Sequence, residues 1–442
     1  MKLYKNTVLY NYYYKMGVKN LKKFIRDRFP NEIQKSNLNS FYGQIIAMDV
    51  MSFIYKFKIS SGNRWLQSFT NLIRLFKKYN IHVNIVLEGE SPIEKNKEKE
   101  NRKKQRQQQE QKLFNIKRDL EEYHRTNTIS QELKDLCVKL DKTDNEKVEK
   151  LLHFNNSNDN TENDFEITNH MVQLVNDFID KKEGQMVNVT REDLNKVNEL
   201  CKAFGVPCLQ SDNEAETLCC KLSRNVNLKK NKKSIGVISE DTDVLAYGCE
   251  LFICDLNVVN GDCNIIYLPS LLQTMELDYQ QFLEFCILSG TDYNINIPGI
   301  GSVKCYDWIL KHKSIDSIFD NEKKTIQKKI DDYVTKKKQG SNEENNEKDN
   351  LDILNEEKDI YSVDNETLIE IINIDKIKKD MIHSINMFDT DFEIKIETEY
   401  WNCNIDLNLI TELCLRYNIQ SEYILNKNTG FLNLWNNKIK LK

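Results

Sequence analysis

The chain has 442 residues, 40% of them hydrophobic, enough for one enlarged domain or more than one with a real core. Its 63 basic and 68 acidic residues leave a net charge of −5, which argues against a protein that coats nucleic acid nonspecifically but leaves room for local phosphate-binding patches. Twelve cysteines stand without CxxC pairs, several in apolar runs such as LCCKL and FLEFCIL, which fits buried reduced thiols in an intracellular, reducing compartment better than disulfides or zinc ligands.

In chain order, the first fifteen residues, MKLYKNTVLYNYYYK, lack the apolar core of a signal peptide, and no run of about 18 apolar residues follows. Neither secretion nor a membrane partner is expected. Short β-branched runs then end repeatedly in an acid: IIAMD at Asp49, VNIVLE at Glu88, GVISED at Asp241 and ELFICD at Asp255. Separated by helix-like segments, they predict an α/β fold with a largely parallel sheet, in which ligands collect beyond the carboxyl ends of the strands. Asp49, Glu88, Asp241 and Asp243 therefore share one rim. The charged run EKNKEKENRKKQRQQQEQK at 94–112 reads, taken alone, as a solvated helix. Residues 141–166 and 321–360 are rich in Asn, Lys and Glu and poor in core formers, and both read as mobile low-complexity insertions.

Within SEDTD, an extended backbone sends Asp241 and Asp243 to one side and Glu240 to the other. Like charges so close disfavour folding unless a cation sits among them. QSDNEAETLCCKL adds Glu214 and Glu216, and LSGTDYN adds Asp292, making seven carboxylates beside apolar sequence. An isolated DxD is usually a turn or a helix start. Seven acids in apolar surroundings suit hard divalent cations, and Mg²⁺ takes only one or two direct carboxylates, so two ions with an outer shell are expected. Two such ions activate a water and stabilise the leaving oxygen in phosphodiester cleavage. An EF-hand loop, DxDxDG, does not occur. In IPGIGSVKCYDWIL, Gly299 and Gly301 allow a tight turn with free N–H groups at a helix start, and Lys304 stands close by, a pattern that fits a phosphate contact as well as a plain turn.

These motifs in this order resemble the flap endonucleases of the XPG-type family of structure-specific 5′ nucleases. The resemblance rests on MGVKNLKKFI at 16–25, IIAMDVMSFIY, SDNEAE, SEDTDVLAYG and FCILSGTDYNINIPGIGSVKCYDWILKHKSI at 285–315. It covers about 16–110 and 185–320, and weakly 395–430. It implies a PIN-like nuclease fold with a helical arch and a helix-two-turn-helix. Its domains are an N-terminal nuclease region at 16–140, the insertion at 141–166, an internal region at 167–320, the insertion at 321–360 and a C-terminal helical region at 361–442. The family's metal acids fall on Asp49, Glu88, Glu214, Glu216, Asp241, Asp243 and Asp292. Glu88 is the departure, since the family has Asp there, and its reach grows by one methylene. The two active-site cations of the arch match Lys95 and Arg102, two helical turns apart. Tyr55 matches the aromatic on which the nucleotide beside the cut stacks, and equally suits a core tyrosine. The implied function is Mg²⁺-dependent cleavage of DNA at single-strand to duplex junctions in replication and repair, with Mn²⁺ able to replace Mg²⁺. Alternatives are a 5′ exonuclease, a junction-resolving relative or a catalytically silent junction binder. A monomer is expected, in the nucleus or a viral replication compartment. The family's sliding-clamp motif is absent from NKNTGFLNLWNNKIKLK, so no clamp partner is expected, and translation is expected to start at Met16.

Overall fold

The computed structural model describes residues 17–90, 92–152, 168–224, 233–294, 296–343, 374–388 and 404–420. Among these, residues up to 98, 188–337 and from 374 onward form one compact unit, and 99–187 with 338–343 form a second. The first fifteen residues, the tail expected to lack a clamp motif and most of the weak match at 395–430 lie outside the described residues.

The first unit is built on a seven-stranded sheet. Its strands are β1 (Gln34–Asn37), β2 (Ile45–Asp49), β3 (His82–Leu87), β4 (Cys208–Gln210), β5 (Val237–Ile238), β6 (Leu251–Cys254) and β7 (Asp262–Tyr267), in the order β1-β7-β6-β5-β2-β3-β4. The five from β6 to β4 run parallel, and β7 and β1 extend one edge antiparallel. The expected parallel α/β architecture is thus present, with an antiparallel edge.

In chain order the helices begin with α1 (Leu21–Arg28), α2 (Met51–Ser61), α3 (Trp65–Lys78), the long α4 (Asn96–Thr126), α5 (Gln131–Leu152), α6 (Asn169–Gln185) and α7 (Arg191–Ala203). They are followed by α8 (Ala215–Arg224), the single turn α9 (Asp243–Ala246), α10 (Leu268–Thr274), α11 (Tyr279–Ser289), α12 (Ser302–His312), α13 (Ile315–Asn321), α14 (Lys323–Glu343), α15 (Ile374–Phe388) and α16 (Leu407–Arg416).

The period of two along each strand divides the core. Ala47, Val237 and Phe252 face one layer, with α1, α8, α11, α12 and α15. Ile46, Met48, Ile85, Ile238 and Ile253 face the other, with α2, α3, α7 and α16. The second unit has its own core, where Leu113, Ile116 and Leu120 of α4 meet Leu133, Leu136 and Cys137 of α5 and Val175, Phe178 and Ile179 of α6. The spacing 113, 116, 120 is one helical face.

The first parts of the two low-complexity segments are helical. α5 carries helix from Gln131 through 141 to Leu152, and α14 turns 323–343 into helix, with Ile326 and Ile330 buried four residues apart. A stripe that thin is outnumbered by Lys and Glu in composition, yet one face per turn is enough to dock a helix. Every described cysteine is a free thiol, and all but Cys208 are buried. No described helix is long and apolar enough to cross a membrane.

Candidate active site

The carboxyl ends of β2, β3 and β5 converge, and each delivers acids. Asp49 ends β2, 1% exposed, with Oδ1 accepting from the Met51 N–H at 2.9 Å and Oδ2 from the Ser239 hydroxyl at 2.9 Å. Glu88 follows β3, and its Oε2 accepts from the Ala215 N–H at 3.2 Å, the first residue of α8. That bond uses the extra methylene: the longer side chain reaches a helix N-terminus, where an anion is favoured. After β5, the Ser239 hydroxyl also accepts from the Asp241 N–H at 3.0 Å, and Asp241 Oδ1 accepts from the Asp243 N–H at 2.8 Å.

The backbone is not extended through this loop, because Asp243 opens α9. Asp241 and Asp243 nonetheless point into the cluster, and Glu240 points away, its Oε2 accepting from the Asp255 N–H at 3.2 Å and lying 3.9 Å from Lys22 Nζ. Close approach is enforced from the amino-terminal side by Gly17, at φ +74°. A Cβ there would stand 2.0 Å from Asp241 Oδ1 and 2.7 Å from the Asp243 nitrogen, so only glycine fits.

α8 places Glu214 just before its first residue and Glu216 within its first turn. Asp292 comes from the loop after α11. The cation among these acids is Lys95, which ends a short 3₁₀ turn, Ile93–Lys95, ahead of α4. Its Nζ lies 2.5 Å from Glu214 Oε1, 3.6 Å from Asp292 Oδ2 and 4.8 Å from the Tyr293 ring centre. Burial opposes its charge, but Asp292, Glu214, Asp243 and Glu216 hold the ammonium well above the ordinary lysine range.

One buried lysine does not balance this many acids. Burial, then the negative charge of Asp49 and Glu214, pushes Glu88 up to about 7. Burial likewise pushes Asp241 up to about 7, and raises Asp49, Glu216 and Asp243, the last two well above the ordinary range. Asp243 Oδ1 is buried and has no hydrogen-bond partner among the described residues. A buried carboxylate oxygen left without a donor is costly, and a cation satisfies it. Among the described residues, no three acidic, histidine or cysteine side chains already surround one point as a finished metal shell. Mg²⁺ keeps several waters and needs only one or two direct carboxylates, so this donor set still suits it.

All seven predicted acids and Lys95 therefore lie at or beside one rim of the sheet. Arg102 is exposed on α4 in the second unit. Tyr55 is half-buried on α2. Gly299 has φ +68°, as a tight turn requires, whereas Gly301 caps α12 at an ordinary φ of −104°. Lys304 is exposed, its Nζ 5.4 Å from the centre of the Trp308 ring. A cleft of about 470 Å³ runs between α1 and α12 and includes Lys23, Arg28, Ser302 and Lys304 in its lining. Sequence reasoning missed Ser239, Gly17 and Tyr293. Ser239 and Tyr293 each stand next to an acid motif, and Gly17 follows the Met of MGVKNLKKF.

Comparison with known proteins gives concordant results. The XPG N-terminal domain matches residues 16–109 and the XPG I-region matches 205–292. Probable RAD2-like endonuclease 076L of Invertebrate iridescent virus 3 is 32% identical over 324 residues, covering 69% of this chain and 81% of the relative. Probable RAD2-like endonuclease 369L of Invertebrate iridescent virus 6 is 29% identical over 328 residues, covering 69% and 73%. The solved catalytic core of Rad2 in complex with DNA substrate is 17% identical and matches 89% of this chain and 94% of its own with a TM-score of 0.51, a likeness of fold.

Proposed function

Because this chain belongs to the XPG-type, RAD2-like family of nucleases, metal-dependent phosphodiesterases, we propose that it is a Mg²⁺-dependent endonuclease that cuts DNA at 5′ flaps, where a single strand meets a duplex. The observation that carries this reading is Lys95. The turn leading into α4 sets one ammonium against Glu214 and Asp292, at the carboxyl ends of the strands that bear the other acids.

Asp49, Glu88, Glu214, Glu216, Asp241, Asp243 and Asp292 are the residues to hold two divalent ions, with Asp243 Oδ1 the oxygen most in need of one. Held by these residues, divalent ions would supply Lewis-acid chemistry, activating a water and offsetting negative charge on the phosphate and the leaving oxygen. The protein's own part is to exclude bulk water from Asp49, Asp241 and Asp243, to fix the carboxylates through Ser239 and the backbone, and to present Lys95 to a phosphate oxygen. An ammonium so placed orients the scissile phosphate and offsets the charge that grows on it. Arg102 has the same proposed role on the strength of the family motif. Duplex backbone is gripped elsewhere, at Gly299, Gly301 and Lys304 beside the cleft between α1 and α12, through contacts that read no bases. Tyr55 is the proposed stacking partner of the base beside the cut. The work belongs to DNA replication and repair, in the nucleus or in a viral replication compartment, and a monomer suffices for it.

The test is a Mg²⁺ titration of single-turnover cleavage on a labelled 5′ flap, a nicked duplex and a four-way junction. Preferential release of the flap supports the proposal. Preference for the nick or the junction reassigns the chain to exonuclease or resolving activity. Tight binding with no cleavage at any Mg²⁺ concentration makes it a silent junction binder.

A further inference from the structure

Behind Glu214 lies a polar connection that the proposed chemistry does not use. Tyr293 and Tyr247 are buried, 9% and 1% exposed, in the core layer that includes α11 and α15. Phe388, the last residue of α15, packs against both: its ring centre is 4.7 Å from that of Tyr247 and 5.3 Å from that of Tyr293, edge-on to the latter. A core position of this kind needs no hydroxyl, and a buried hydroxyl without a partner is costly. Yet two phenols meet here, their oxygens 2.8 Å apart. The Tyr293 hydroxyl donates to Glu214 Oε2. A phenol has one hydrogen to give. Tyr293 gives it to the carboxylate, so Tyr247 donates to Tyr293, and the chain runs in one direction, from the aromatic core to a site acid.

The consequence is asymmetric for Glu214. Oε2 is held from behind, and Oε1 is the oxygen that faces Lys95 at 2.5 Å. The same tyrosine lies with its ring centre 4.8 Å from the Lys95 ammonium, within cation–π range. One side chain therefore touches both the acid and the cation that the site depends on. We infer that Tyr293 is a positioning residue of the nuclease site: through its hydroxyl, backed by Tyr247 and Phe388, it fixes Glu214 with Oε1 turned into the acid cluster, on Lys95. This rests on reading the acid cluster as a divalent-metal site.

The test uses the full-length protein without DNA, titrated calorimetrically with Ca²⁺ well below its melting temperature. Tyr293→Phe keeps the ring, its packing on Phe388 and its contact with Lys95, and deletes only the hydroxyl. Its Ca²⁺ midpoint is expected to rise about tenfold, the low end of the cost of losing an outer partner of a metal ligand. Flap cleavage by the same variant is expected to fall most at low Mg²⁺ and to recover largely at saturation. A midpoint equal to wild type overturns the inference, even if the variant melts earlier, since that is what a merely structural hydroxyl does. A wild-type protein that takes up no Ca²⁺ overturns the reading of the site and the inference with it. If Tyr293→Phe does not fold, Tyr247→Phe decides: a midpoint raised about threefold supports the relay, and an unmoved one overturns it.

Discussion

Two acid clusters stand at neighbouring strand ends of the same sheet, and they are built to opposite rules. Beyond β6, Asp255 meets Lys22 at 2.7 Å and the Asn264 amide at 2.7 Å, and Glu240 leans on the same lysine. Burial works against both acids: Lys22 and Asn264 hold Asp255 below the ordinary carboxylate range, while Glu240, fully buried, stays raised despite Lys22. Beyond β2, β3 and β5, seven acids share Lys95, and every acid there with a resolved shift is pushed upward by burial and mutual repulsion. The first cluster carries its counter-ions as side chains and ties α1 to the sheet. The second, among the described residues, sets Lys95 against seven acids. A buried deficit of this kind lowers stability, so its retention points to function rather than architecture.

The comparison breaks most completely at Asp243. Asp243→Asn removes charge from the deficient cluster, and a neutral amide is a poor ligand. Cleavage is expected to fall by at least the roughly 10³-fold that one preorganised charge supplies, with flap binding in Ca²⁺ retained. At a pH high enough to ionise Asp243, the metal-free variant is expected to melt higher than wild type, because repulsion is relieved. Cleavage near the wild-type rate, or a lower melting temperature, would remove the metal assignment.

Lys95→Ala deepens the deficit. Single-turnover cleavage is expected to slow about 10²- to 10³-fold, roughly 2.7 to 4 kcal/mol, while duplex affinity changes little. Equal losses of binding and rate would make Lys95 an ordinary phosphate anchor.

Asp255→Asn is the mirror experiment in the balanced cluster. It leaves Lys22 without its nearest partner, and the expected cost is about 1.5 to 3 kcal/mol of stability, read by denaturant unfolding, with the rate per folded molecule unchanged. Asp243→Asn and Asp255→Asn therefore move stability in opposite directions.

The smallest expected effect is in pH. Glu88 and Asp241, near 7 in the fold, start from 4.5 and 3.8. Between those limits the folded state holds protons that the unfolded chain has released, so their contribution to stability is present at low pH and lost as pH rises through about 7. Divalent cations bind the ionised form. The melting-temperature rise from saturating Ca²⁺ is expected to be larger at about pH 8 than at about pH 5.5, and a rise independent of pH would count against these acids as ligands.

Much of the site was legible because strands and acids announce themselves locally. IIAMD and GVISED each state a buried strand and its functional end within five or six residues. The separation of Glu240 from Asp241 and Asp243 also followed from alternation, although α9 begins at Asp243. What stayed hidden depends on distance along the chain. The Tyr293 contact with Glu214 spans 79 positions, and the Ser239 bond to Asp49 spans 190, so neither leaves a spacing to read. The partner of Glu240, Lys22, sits in a helix whose lysines look alike in sequence. In α14 the apolar face was present at Ile326 and Ile330, but composition averaged over the segment concealed it.

β5 has only two residues, paired to β2 on one side and β6 on the other through Val237 and Ile238. With side chains alternating across a strand, losing or gaining one residue at its end would exchange the neighbours Glu240 and Asp241. The charge-balanced cluster would then receive the acid meant for the metals, and the metals would receive the acid meant for Lys22. A two-residue strand is thus the phase marker that tells a structural carboxylate from a chemical one, and the protein's tolerance for insertions and deletions should be lowest there.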